Sequence, residues 1–142
     1  MIRRFEDTEI GRIADIWLEA NLEAHSFISP EYWKDNLDMV RALLPQSEVY
    51  IYEDNGKAEG FVGLSGEYIE GIFVAGSMQS RGIGKSLLDY VKKNKAGLCL
   101  HVYQKNIRAI RFYLREGFVI RREGLDESTG EKDYEMVWKR AH

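Results

Sequence analysis

The chain is poor in the residues that build covalent staples, metal centres and membrane anchors. Its single cysteine, Cys99, excludes an intramolecular disulfide framework. Its three histidines, His25, His101 and His142, have no metal-ligand spacing, so no metal is expected. Only two prolines occur, Pro30 and Pro45, and no linker, repeat or low-complexity tract interrupts the sequence. One domain over residues 1–142 is expected. No apolar run approaches the roughly 20 residues that a bilayer-crossing helix needs. Met1 to Asp7 lacks the apolar segment of a secretory signal. A cytoplasmic location, away from membranes, is the expectation. A net charge of −3 and the lack of a basic stripe argue against nucleic acid as a partner.

What is present is an ordinary globular balance, 44% hydrophobic and 30% charged. Ile2–Phe5 reads as a strand. Asp7 or Thr8 then caps a helix to about Ala20, with Ile10, Ile13, Ala14 and Trp17 at helical spacing. Ser29-Pro30 opens a second helix to about Leu44, with Trp33, Leu37, Val40 and Leu44 on one side. Val49–Tyr52 and Gly60–Leu64 are strands joined by Asn55-Gly56, the signature of a type I′ hairpin. Tyr68–Val74 continues the meander. A helix-like run follows from Lys85 to Asn94, then a short apolar strand, Leu98–Val102. Asn106 caps a further helix that Gly117 ends. Phe118–Ile120 and Tyr134–Trp138 are the last strands, joined by a polar loop from Glu123 to Lys132. These two strands could close the sheet within one chain or pair across a homodimer, so monomer and homodimer both stay open. The order β-α-α-β-β-β-α-β-α-β-β predicts an α/β fold, a mixed sheet of about seven strands with four helices.

The densest signal is Gln79-Ser80-Arg81-Gly82-Ile83-Gly84, a glycine turn between a strand and a helix. Glycines let backbone approach a ligand closely, and the first N–H groups of a helix have no internal partners, so such a turn suits phosphate. Gly84-Lys85-Ser86 imitates the end of a Walker A loop, but Gln79 stands where that loop needs glycine. A dinucleotide fingerprint fails too, with Leu87 at its third glycine.

Gln79-x-x-Gly82-x-Gly84 resembles motif A of the GNAT superfamily of acetyl-coenzyme A-dependent N-acetyltransferases. Asn106-x-x-Ala109-x-x-Phe112-Tyr113-x-x-x-Gly117-Phe118 resembles their motif B. The element order matches over the whole chain. Ala24–Ile28, Tyr32-Trp33 and Val102–Asn106 are similar to small bacterial members of the YiaC and YjaB type, for some of which protein lysines are the acceptors.

The resemblance implies transfer of acetyl from acetyl-coenzyme A, the co-substrate, to a primary amine by direct attack. A protein lysine or an N-terminal amine is the expected acceptor. It implies cofactor contacts from Ile72, Phe73, Val74, Gln79, Ser80, Arg81, Gly82, Ile83, Gly84, Lys85, Ser86, Asn106 and Tyr113. The strand Ile72–Val74 would receive the pantetheine arm, and its parallel neighbour must splay to leave room. A backbone N–H near Phe73 or Val74 would bind the thioester oxygen, with Val74 the choice. Tyr113 would protonate the departing thiolate; its structural alternative is an aromatic packed on the sheet. Glu70 is the first candidate to take the amine's proton, against the alternative of an exposed strand carboxylate. Glu67, His101 and His25 follow it. His25, Phe27, Tyr32, His101 and Tyr103 would shape the acceptor side, with His101 expected to be packed and hydrogen-bonded. Cys99, between two leucines, reads as packing and not as an acetyl carrier. Two rival functions remain. One is a small-amine acetyltransferase, favoured by a deep acidic pocket where a shallow groove would favour peptides. The other is a sensor that binds acyl-coenzyme A without turnover.

Overall fold

The computed structural model describes residues 1–141; His142 lies outside the described residues. Seven strands form one mixed sheet: β1 (Ile2–Arg4), β2 (Glu48–Asp54), β3 (Lys57–Ser65), β4 (Tyr68–Val74), β5 (Gly97–Tyr103), β6 (Val119–Asp126) and β7 (Glu131–Lys139). They stand in the order β1-β2-β3-β4-β5-β7-β6. Helices α1 (Ile10–Ala24), α2 (Pro30–Asp35), α3 (Leu37–Leu43), α4 (Ile83–Lys92) and α5 (Ile107–Arg115) cover both faces.

The apolar spacing explains the layers. Ile83, Leu87, Leu88 and Val91 make one stripe on α4, and all four are buried against Val62, Leu64, Leu98, Leu100 and Met136. On the other face Ile13 and Ile16 of α1 pack on Val49, Ile51 and Phe61. Covered from both sides, β3 is buried from Ala58 to Leu64. The Asn55-Gly56 turn has the two positive φ values its sequence demands, 53° and 77°.

Several boundaries differ from the sequence reading, four of them by enough to affect the layout. The first helix runs on to Ala24. The second breaks in two at Asn36, whose amide donates to the Tyr32 carbonyl at 2.6 Å. The third starts at Ile83 and ends at Lys92. The expected polar loop from Glu123 to Lys132 is mostly strand: β6 reaches Asp126 and β7 starts at Glu131, pairing Asp126 with Glu131. That hairpin completes the sheet within the chain.

One irregularity opens the fold. β4 and β5, the only parallel neighbours among the described residues, are paired at a single position, Tyr68 with Cys99. Beyond it the strands diverge, and a cleft enters the sheet between them. β4 also carries a bulge: Gly63 faces Gly71 and Leu64 faces Ile69, so Glu70 has no opposite residue.

Candidate active site

The cleft is built from β4 outward. The Ala75 N–H donates to the Glu59 carbonyl at 2.8 Å, so the ladder's alternation turns the N–H groups of Ile72 and Val74 away from β3 and into the gap. At one end of the gap lies α4. Gly82 is its first flanking residue, at φ 79° and ψ 12°, a left-handed conformation that glycine adopts without strain. Ser80 is also left-handed, at φ 66°. The first intrahelical bond runs from Ser86 N to Gly82 O at 3.0 Å, leaving the amides of Ile83, Gly84 and Lys85 free of helical partners.

This end encloses about 940 Å³ and is lined by Ile72, Phe73, Val74, Gln79, Ser80, Gly82, Ile83, Gly84, Lys85, Asn106 and Tyr113. Arg81 is exposed, and neither it nor Ser86 lines the space. Lys85 is shared between Asp89 at 3.0 Å and Glu116 at 3.3 Å. The sequence reading passed over three arginines here, Arg108, Arg111 and Arg115 of α5. Their spacing of three and four residues places them on one helix face, a signal visible in the sequence.

The other end is smaller, about 280 Å³, and acidic. Glu70, Asp126 and Asp133 line it with Tyr68, His101 and Tyr103. Trp33 lines it too, and its buried Nε1–H has no partner among the described residues. Phe27 and Tyr32 stand behind this lining. Phe27 packs edge-on against His25 and Tyr103, and Tyr32 against Trp33. His101 is a correction: it is not packed but half-exposed, with the Tyr68 hydroxyl 3.0 Å from its Nδ1. Burial pushes the Tyr68 phenol up to about 12, and the nearby Glu70 adds to the shift. Glu67 lies off the cleft, where its carboxylate accepts from the Gly97 N–H at 3.2 Å.

Tyr113 lines both ends. Its ring packs edge-on against Phe112 and Phe118, and it is buried. No hydrogen bond reaches its hydroxyl among the described residues. Burial pushes its pKa well up, so the phenol keeps its proton.

His25 spans the cleft. The Asn21 amide donates to the Trp17 carbonyl, leaving Asn21 Oδ1 3.0 Å from His25 Nδ1. The Asn106 carbonyl oxygen accepts from the Ala109 N–H, leaving its amide 3.0 Å from His25 Nε2. This network assigns the proton to Nδ1 and a lone pair, already used, to Nε2. Burial lowers the imidazole to about 4. The ring is a neutral strut between α1 and α5, and neither nitrogen is free to take a proton.

A stability prediction follows. Below pH 6.5 the unfolded chain protonates His25, while the folded site resists until about pH 4. Stability is therefore lost as pH falls through that window. The full shift corresponds to about 3 kcal/mol, and water at the cleft mouth, which screens the charge, brings the expected loss to about 1–2 kcal/mol. Urea denaturation at pH 7.5 and 4.5 should show this extra slope in the wild type and not in His25→Gln. Equal slopes would contradict it.

Among the described residues no group of three or more His, Cys, Asp or Glu side chains could hold a metal ion. No helix there is long and apolar enough to cross a membrane.

The sheet is pried apart between two strands, with one chamber at a helix N-terminus and a second lined by carboxylates. Comparison with known proteins supplies the family. Residues 45–120 match the acetyltransferase (GNAT) domain. The chain is 38% identical over 140 residues to the peptidyl-lysine N-acetyltransferase YiaC of Escherichia coli, covering 97% of this chain and 96% of that one. The solution structure of apo YjaB from Escherichia coli superposes with a TM-score of 0.86 at 24% identity, covering 97% of this chain and 96% of that one. The PaiA N-acetyltransferase of Thermoplasma acidophilum, solved in complex with coenzyme A, gives 0.83 at 18% identity and covers 99% of this chain and 98% of that one. The protein belongs to the GNAT acetyltransferase family.

Proposed function

We propose that this enzyme transfers acetyl from acetyl-coenzyme A to the side-chain amine of a protein lysine, both bound at once in the split of the sheet. The observation that carries the reading is Tyr113: one buried, unpartnered phenol belongs to both chambers. The relative YiaC is named a peptidyl-lysine acetyltransferase, and the acid chamber suits a cation.

The residues fit coenzyme A. The free amides of Ile83, Gly84 and Lys85 suit a diphosphate, and the arginine face of α5 suits further phosphate charge. The outward N–H groups of β4 suit an extended amide arm. Acetyl-coenzyme A supplies an activated acyl group and a thiol leaving group. Val74 N–H would hold negative charge growing on the acyl oxygen. Tyr113 would hold the proton that the sulfur takes. Glu70, unpaired in its bulge and facing the acceptor chamber, would remove the amine's proton directly or through water. His25 does not compete for that role, because both ring nitrogens are engaged. Holding both reactants in one gap supplies several kcal/mol of the barrier.

A second reading, a small cationic amine as acceptor, is favoured by the same carboxylates. Size narrows it. About 280 Å³ falls just below the roughly 300–1,000 Å³ of pockets that enclose drug-sized ligands, so the chamber suits one alkylammonium arm. An aminoglycoside exceeds it; a linear polyamine does not. The test is an acceptor screen with acetyl-coenzyme A, following thiol release, with lysine peptides, a polyamine and an aminoglycoside side by side. Lysine peptides should be used best, with mass spectrometry placing the acetyl on the side chain. Turnover of the polyamine alone would replace the first reading with the second. Tight coenzyme A binding without turnover of any amine would make the protein a sensor.

A further inference from the structure

The three carboxylates of the acid chamber are not equivalent. Asp126 is occupied: it accepts from the Tyr103 hydroxyl at 2.6 Å and from the Ser128 N–H at 3.0 Å. Glu70 is exposed in its bulge. Asp133 is different from both. It is 8% exposed, yet no hydrogen bond or ion pair reaches its carboxylate among the described residues; only its backbone carbonyl is used, by Gln104.

Its surroundings explain how it stays unpaired. Asp133 sits mid-sheet, opposite Tyr103 on β5 and Gly124 on β6. The charged or titratable groups that act on it are His101, Asp126 and Glu135. Glu135 is already held by Arg121 and Arg122. Among the described residues no lysine or arginine pairs with Asp133. On the β6 side the missing side chain of Gly124 makes the room: a Cβ there would lie 2.6 Å from Asp133 Oδ1. The carboxylate oxygens are not sealed in: they reach the open chamber. That chamber opens onto Tyr113.

We infer that Asp133 is the residue that selects the protonated amine of the acceptor, its carboxylate pairing with the ammonium as it enters between Tyr103 and His101. This rests on the amine-acceptor reading above and adds the group that distinguishes a cationic acceptor from a neutral one. Asp126 and Tyr103 form the rigid wall beside it, and Gly124 keeps the carboxylate in place.

The test is Asp133→Asn, which keeps the shape and removes the charge. A charge-assisted contact of this kind corresponds to about 10- to 100-fold in affinity. KM for a lysine peptide should rise by that factor, with kcat within about threefold and acetyl-coenzyme A affinity unchanged. The melting temperature should hold, because no internal hydrogen bond or ion pair of the carboxylate is lost. Gly124→Ala, which pushes the carboxylate aside while keeping it, should raise KM in the same direction. A second arm needs no turnover: n-butylammonium titrated onto the coenzyme A complex should bind the wild type and not Asp133→Asn. An unchanged KM, or a fall in kcat at constant KM, would overturn the inference, as would equal butylammonium binding to both proteins. If lysine peptides are not acetylated but butylammonium still distinguishes the two proteins, the lysine reading falls and the Asp133 assignment stands.

Discussion

Tyr113→Phe should bind coenzyme A as the wild type does and turn over roughly 100-fold more slowly, or worse. The ring is what holds the fold: it packs edge-on between Phe112 and Phe118, and phenylalanine keeps that packing. The hydroxyl has no protein partner, so its removal breaks no internal bond and should not lower the melting temperature. What is lost is the one phenol that lines both chambers. Burial raises the phenol's pKa, which by itself makes it a weaker acid. A thiolate leaving beside it would enter the same gap, and desolvation would raise its basicity above the ordinary thiol value as well. The two shifts run in parallel, so the proton transfer stays within reach. Thiol-release kinetics with calorimetric coenzyme A titration check the claim. Unchanged turnover would assign the proton to another group. Weakened coenzyme A binding at constant kcat would make Tyr113 a binding residue only.

The parts of this site that could be read from sequence are those encoded within a few residues. Gly82 and Gly117 stand at φ 79° and 95°, conformations that side chains resist, and the sequence puts glycine at both. Asn106 caps α5 through the Ala109 N–H, as an asparagine before a helix predicts. β4 runs from Tyr68 to Val74 as its apolar pattern suggests. The parts that escaped depend on neighbours distant in sequence. Every residue of β6 from Val119 to Leu125 is exposed, so its strand carries no buried–exposed alternation to detect. The sequence marked only its start, Phe118–Ile120, and its extension to Asp126 is set by the register with β7. Asp133 was lost with it, since its meaning needs three strands aligned: Tyr103, Asp133 and Gly124 sit side by side only in the folded sheet. The break at Asn36 is likewise silent, because the apolar spacing from Trp33 to Leu44 continues across it. The arginines of α5 are another matter. Their spacing was plain, but only the cleft gives that face something to hold.

These contrasts bear on why the two ends of the cleft differ in how they should fail. The three carboxylates of the acid chamber come from β4, β6 and β7 and do not line the other end, so substituting them should alter acceptor preference and leave the donor end untouched. The donor end also presents backbone, the free amides of Ile83, Gly84 and Lys85, and backbone cannot be removed by a point mutation. It can be obstructed. Gly82 is the place to do so, because a Cβ there meets no protein atom within 4 Å and would project into open space.

Gly82→Asp should therefore raise KM for acetyl-coenzyme A by roughly 100-fold or more while the protein still folds. Aspartate is among the few residues that enter the left-handed region at modest cost, so the turn itself should survive. Its carboxylate, held at the residue that flanks the start of α4, would face the space where the amides of Ile83, Gly84 and Lys85 are free. A diphosphate held by those amides would meet like charge at close range and lose bonds of about 1.5–3 kcal/mol each; two such losses exceed 100-fold. Gly82→Ala separates strain from charge: it distorts the same residue without the carboxylate and should cost about tenfold or less. Added salt should narrow the gap between the two variants, since part of the aspartate effect is screened repulsion. Steady-state KM at saturating acceptor, coenzyme A calorimetry and thermal melting together decide it. If Gly82→Asp binds coenzyme A as tightly as the wild type, the diphosphate is held elsewhere than at the start of α4.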